Sequence, residues 1–198
     1  IYNGADDNGS GSSVVLSLAE AFSRNKTKPR RSIIFILFSG EEKGLLGSKY
    51  YVSEPTFPLS EIVADVNLDM VGRSDSEHQA SGETDYVYVI GSDKISLEYD
   101  RLLRESNDAS VNLQLDYTYN REDDTNRYYY RSDHYSFAKH GVPSVFLFTG
   151  LHDDYHQPTD TIEKIDFQKL TKVARLTFSF LWRVANLEHR LKKDAEMP

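Results

Sequence analysis

Cysteine is absent from this 198-residue chain, and methionine and tryptophan are scarce, at two and one. Without thiols there is no disulfide, no thiolate ligand and no cysteine nucleophile, so any metal has to be held by carboxylates and imidazoles. No apolar run approaches the roughly 20 residues that cross a bilayer, so no membrane span is expected. Basic residues are outnumbered, 23 Lys and Arg against 31 Asp and Glu, for a formal net charge of −8. There is no basic stripe to neutralise phosphates, which argues against nucleic acid as a general partner. A starting Met is missing too. The chain opens on the Gly/Asp-rich run Ile1-Tyr2-Asn3-Gly4-Ala5-Asp6-Asp7-Asn8-Gly9-Ser10-Gly11, which reads as an internal start. Residues 1–198 fit one domain with a sizeable core. No internal repeat or low-complexity segment is present.

What is there alternates between strand and helix patterns. Ser10 or Ser12 is positioned to cap a helix bearing Val14, Val15, Leu18, Ala19 and Phe22 at helical spacing. Ile33–Phe38 is short, continuous and rich in β-branched and aromatic residues, and predicts a buried strand. Further strands are expected over 62–71, 86–91 and 143–148. Helices are expected over 44–51, 95–105 and 132–141, and a long final one is capped by Asp166. Residues 74–85 and 120–126 read as polar loops. This order predicts an α/β fold, a three-layer sandwich around a central mixed, largely parallel sheet.

Acidic residues gather where such sheets bind ligands, at strand ends and loop-to-helix junctions. Glu41 and Glu42 follow the apolar Ile33–Phe38 run. Two adjacent carboxylates at the end of a core strand are costly to bury unless paired or metal-bound. The ordinary alternative is a solvated turn. Asp69 ends the 62–71 run, where a buried salt bridge would satisfy it as well as a metal. Asp7 lies in a loop opening a helix, where an acidic residue most often serves as a cap or favours the helix dipole. His156 sits in a His/Asp-rich loop with Asp160 close enough to bond a ring nitrogen or the loop. His134, His140 and His152 are weaker candidates, and His78 and His189 read as surface residues.

Taken together, these segments resemble the co-catalytic dizinc aminopeptidases related to bacterial leucyl aminopeptidases and glutamate carboxypeptidases. Gly4-Ala5-Asp6-Asp7-Asn8-Gly9-Ser10-Gly11 is similar to the family's bridging-aspartate segment, with Asp7 at the matching position. Phe38-Ser39-Gly40-Glu41-Glu42-Lys43-Gly44-Leu45-Leu46-Gly47-Ser48 is similar to its Glu-Glu segment, Asn67-Leu68-Asp69-Met70 to its third ligand segment, and His156 with Asp160 to its last. The resemblance implies Glu41 as general base and Glu42 as a zinc ligand. It places Tyr129 where a family tyrosine holds the tetrahedral intermediate. It implies two zinc ions bridged by Asp7, one completed by Glu42 and His156, the other by Asp69 and a His from an upstream segment that this chain does not contain. One well-formed zinc site is therefore expected here, with weak or no activity for the chain alone. The family's first strands are also missing, so the resemblance implies that residues 1–198 are the C-terminal two-thirds of a single zinc-peptidase catalytic domain and that a sheet edge should be exposed. Peptide hydrolysis from the N-terminus and a periplasmic or extracellular bacterial location are implied likewise. Two rivals share the fold: a glutaminyl cyclase-like single-zinc acyl transferase and a non-catalytic binding domain.

Overall fold

A computed structural model describes residues 2–194. Ala5–Ser10 winds as a tight turn straight into α1 (Gly11–Arg24), and α2 (Leu46–Ser53) follows the Glu41–Lys43 turn. The rest of the chain adds β1 (Asp65–Leu68), α3 (Ser76–Ser81), β2 (Tyr86–Ile90), α4 (Leu97–Asp108), β3 (Gln114–Asp116), α5 (His134–Ala138), β4 (Ser144–Phe148) and α6 (Phe167–Asn186). The four strands form one mixed sheet in the order β1-β4-β2-β3. β1 runs parallel to β4, pairing Asp65 with Ser144 through Leu68 with Leu147. β2 runs parallel to β3 and antiparallel to β4.

Strands β2 and β4 are buried along their whole length, as β-branched and aromatic runs covered on both faces should be. Side-chain alternation divides them between two cores. Val87, Val89, Val145 and Leu147 pack under α1, α4 and α6, with Val14, Leu18, Leu103, Val173, Leu176 and Phe180. Tyr86, Tyr88, Ile90, Phe146 and Phe148 face the opposite layer, with Met70, Tyr128, Tyr129 and Ala138. The expected α/β sandwich is thus present. In α6, Val173, Leu176, Phe180 and Val184 recur at helical spacing as its buried stripe, and Asp166 caps its start by accepting from the amides of Gln168 and Lys169.

Four expectations are corrected. Ile33–Phe38 joins no ladder and is not buried: Ile34 is 46% and Leu37 53% exposed. Apolar content makes a strand only where a neighbouring strand takes its backbone groups, and here none does. Neither Ser10 nor Ser12 caps α1. The Ser10 hydroxyl donates to the Asp6 carbonyl and accepts from the Val71 amide, while the Asn8 side chain accepts from the Gly11 amide. The 74–85 loop contains α3, capped by Asp75. His78 on it is 8% exposed rather than at the surface, because its ring stacks on Tyr86 at 3.4 Å and its Nδ1 lies 2.9 Å from Asp75. Bounds shift as well, with the helices expected over 44–51 and 95–105 found at Leu46–Ser53 and Leu97–Asp108. The second predicted strand contracts to Asp65–Leu68, and α5 stops at Ala138. Strand β3 had no pattern to read, being three residues long.

Candidate metal centre

Each candidate ligand is delivered by a different piece of backbone. Glu41 and Glu42 occupy a single turn between Gly40 and Gly44, whose φ values of 71° and 95° lie in the left-handed region that glycine tolerates. That turn is closed by the amides of Gly44 and Leu45 donating to the Glu41 carbonyl. Asp69 follows the last residue of β1, and its amide carries the ladder one step further by donating to Leu147 at 3.4 Å. Asp7 projects from the turn before α1. His156, at φ 55°, lies in the loop after β4.

Three of these meet. His156 Nε2 lies 2.8 Å from Glu42 Oε1 and 3.1 Å from Asp7 Oδ2. One donor atom from each residue falls within 4.8 Å of the other two. The His156 and Glu42 side chains are 46% and 52% exposed, so the cluster opens to solvent. Asp69 stands deeper. Its Oδ2 accepts from Ser132, which in turn accepts from Asn67, while its Oδ1 is buried with no hydrogen-bond partner among the described residues. An unpartnered buried carboxylate oxygen is costly.

The electrostatics ask for a cation. Burial, then the Asp69 and Glu42 carboxylates, push Asp7 up to about 7. Burial, followed by Asp69, Glu42, Asp133 and Asp7, raises Glu41 to about 8. Asp69 rises to about 6, chiefly from burial. Like charges this close favour neutral carboxyl groups, and a bound cation reverses that preference. Two carboxylates and an imidazole, with one face open, fit a zinc ion.

Tyr129 does not join this group. Its hydroxyl, raised to about 12 by burial, responds to Tyr130, Tyr135 and Asp93, and its ring packs among Lys94, His134 and Tyr135. Tyr155, which sequence reasoning did not single out, stacks on His156 at 3.8 Å. Burial first, then Asp7 and Glu42, raise it to about 12. Adjacency to His156 was the only signal that could have marked it. Asp160 makes no bond to the His156 ring and instead accepts from the amides of Asp6 and Asp7. His152 turns inward, with Nε2 3.1 Å from Asp6 Oδ2.

Beside Glu41 and Asp69 opens a cavity of about 1020 Å³. Ile33–Phe38 forms one wall, and residues 61–69, with β1 at the sheet edge, form the other. Consecutive residues line each wall, so it is backbone as much as side chain that faces the space.

The model of peptidase family M28 matches residues 1–181. The chain belongs to peptidase family M28. Its M28 character is matched by a probable leucine aminopeptidase of Arthroderma benhamiae, 31% identical over 190 residues, covering 92% of this chain and 48% of that protein. Among solved structures, BSAP, described as a zinc aminopeptidase from Bacillus subtilis, superposes with a TM-score of 0.71 at 27% identity, over 92% of this chain and 42% of that one. The Porphyromonas gingivalis glutaminyl cyclase shares the fold at a TM-score of 0.62 and 20% identity, over 91% of this chain and 63% of that one. The chain spans about half the length of the curated relatives it matches.

Proposed function

We propose that this chain is the zinc-binding catalytic domain of an aminopeptidase that hydrolyses the first peptide bond of a peptide. The observation that carries this reading is the convergence of Asp7, Glu42 and His156 from three separate segments, with Glu41 in the same acidic field. Zinc bound there supplies Lewis acidity and lowers the pKa of water. Everything else falls to the chain's own groups. Glu41 takes a proton from the attacking water and returns it to the departing amine as the C–N bond breaks. A phenol donates to the developing oxyanion. Tyr129 is proposed for this from the family resemblance, and Tyr155 is the second candidate because it feels Asp7 and Glu42. The acidic field favours a substrate with a free α-ammonium group, which confines attack to chain ends.

Asp7, Glu42 and His156 would hold one zinc ion, and Asp7 with Asp69 would contribute to a second where a further histidine is supplied. A periplasmic or extracellular location is proposed from the family resemblance and the lack of cysteine. The test is zinc-dependent release of p-nitroaniline from aminoacyl p-nitroanilides by a longer form of the protein, with Glu41→Gln as control. Turnover abolished by that substitution supports the assignment. Ammonia release from N-terminal Gln peptides without peptide cleavage would move it to cyclase chemistry, and zinc binding without any turnover to a non-catalytic role. Weak or no turnover is expected from the 198-residue chain itself.

A further inference from the structure

Beneath the convergent ligands lies a buried polar knot that the proposed chemistry does not use. Asp160, 2% exposed, accepts from the Asp6 amide at 3.1 and 3.0 Å through its two carboxylate oxygens, and from the Asp7 amide at 3.1 Å. Its own carbonyl accepts from the Ala5 amide at 3.2 Å. Arg73 Nη1 stands 3.9 Å from Asp160 Oδ1 and 2.9 Å from Asp154 Oδ2. The same nitrogen lies 3.1 Å from His152 Nδ1. A guanidinium only donates, so Nδ1 accepts and His152 Nε2–H donates to Asp6 Oδ2. The other Asp6 oxygen accepts from the Gly72 amide at 2.7 Å. Three segments meet in this knot: the turn bearing Asp7, the stretch just beyond Asp69, and the loop bearing His156.

We propose that Asp160 is a positioning residue whose carboxylate, by holding the amides of Asp6 and Asp7 from a point four residues beyond His156, fixes the separation of Asp7 and His156 before a divalent cation arrives. The inference rests on the reading of Asp7, Glu42 and His156 as metal ligands. An anionic acceptor gathering two successive amides forms charge-assisted bonds, stronger than neutral ones and directional. It is placed to fix backbone rather than to touch substrate. Asp7 and His156 then move as one body, whereas Glu42 is held only by its own glycine-flanked turn. The arrangement matches the general behaviour of groups that orient metal ligands, whose loss weakens metal binding by about 10–100-fold.

The test uses this chain, metal-free, titrated with zinc against a chromophoric chelator. Asp160→Asn replaces one accepting oxygen with a donor facing amide donors. The expected result is zinc binding weakened by about 10–100-fold in a variant whose metal-free circular dichroism stays native. A lowered melting temperature with unchanged zinc affinity of the folded fraction would mean a merely structural role and overturn the proposal. Should Asp160→Asn not fold, amide hydrogen exchange of the unsubstituted metal-free chain decides instead. Strong protection of the Asp6 and Asp7 amides supports a preset clamp, and exchange at unstructured rates overturns it. Asp7→Ala and His156→Ala separate the two readings. If they leave zinc affinity unchanged, the metal assignment fails, whatever Asp160 does.

Discussion

Two groups of carboxylates line the same cavity and differ in how their oxygens are partnered. Asp7 and Glu42 converge at an open surface on His156, whose Nε2 lies 3.1 Å from Asp7 Oδ2 and 2.8 Å from Glu42 Oε1. Asp65, Asp69 and Asp133 lie along the cavity, each with one buried side-chain oxygen lacking a partner among the described residues. In the first group the segments bearing Asp7 and His156 are tied together by the Asp160 and Asp6 bonds, and Glu42 reaches them from its own turn. The second faces a space bounded by two stretches of backbone that do not pair, Ile33–Phe38 and the free edge of β1. The difference shows that two of the three converging ligands, Asp7 and His156, are set by cross-bonded segments. Along the unpaired wall, one oxygen each of Asp65, Asp69 and Asp133 stays buried without a partner among the described residues, at an energetic cost.

The largest effect that would sharpen this contrast is on chemistry. Glu41→Gln in zinc-loaded, full-length protein should lower kcat by at least about 10²–10⁴-fold, the usual worth of a general base, with zinc affinity nearly unchanged. Equal losses in kcat and zinc affinity would recast Glu41 as a ligand. Next, His156→Ala should weaken zinc binding to this chain by more than the roughly 100-fold upper range for groups that only orient ligands. Asp69→Asn should change it far less, and the reverse order would erase the contrast.

A third prediction concerns pH. In the metal-free chain Asp65 is raised to about 7 by burial and then by Asp133, well above its unfolded value near 3.9. A carboxyl group with a raised folded pKa contributes stability below the unfolded value and loses it as pH rises through the folded one. The melting temperature should therefore fall between about pH 4 and pH 7. Asp65→Asn should flatten that fall and raise the melting temperature at pH 8. Zinc should remove the share due to Asp7 and Glu41 while leaving that of Asp65, and thermal melts with and without zinc check both. The smallest contrast is mechanical. Leu147→Ala, in the paired core, should cost about 2–5 kcal/mol, whereas Leu37→Ala on the unpaired wall should stay within about 0.5 kcal/mol.

Local patterns carried much of this molecule. The strand pairing Leu68 with Leu147 and the helix carrying Val173, Leu176 and Phe180 follow from apolar runs and helical periodicity. Asp7, Glu42 and His156 were singled out by the resemblance of their segments to the family's ligand segments, and not by strand ends, since the Ile33–Phe38 run before Glu42 forms no strand. What escaped was non-local. Ile33–Phe38 has the composition of a strand, but pairing is a property of neighbours that composition does not encode. His78, on α3, was concealed because its burial depends on Tyr86 and Tyr88 arriving from β2. The Arg73–His152–Asp6 connection joins residues 146 positions apart at its longest bond, and no spacing rule announces it. Asp160 was noticed, yet its bonds go to the backbone beside Asp7 and not to the imidazole nearby.

The most direct measurement is an anomalous difference map at the zinc edge from crystals of this chain soaked in zinc. A strong peak between Asp7, Glu42 and His156, with little or none at Asp69, is the predicted result. No peak among those three residues would contradict the metal centre.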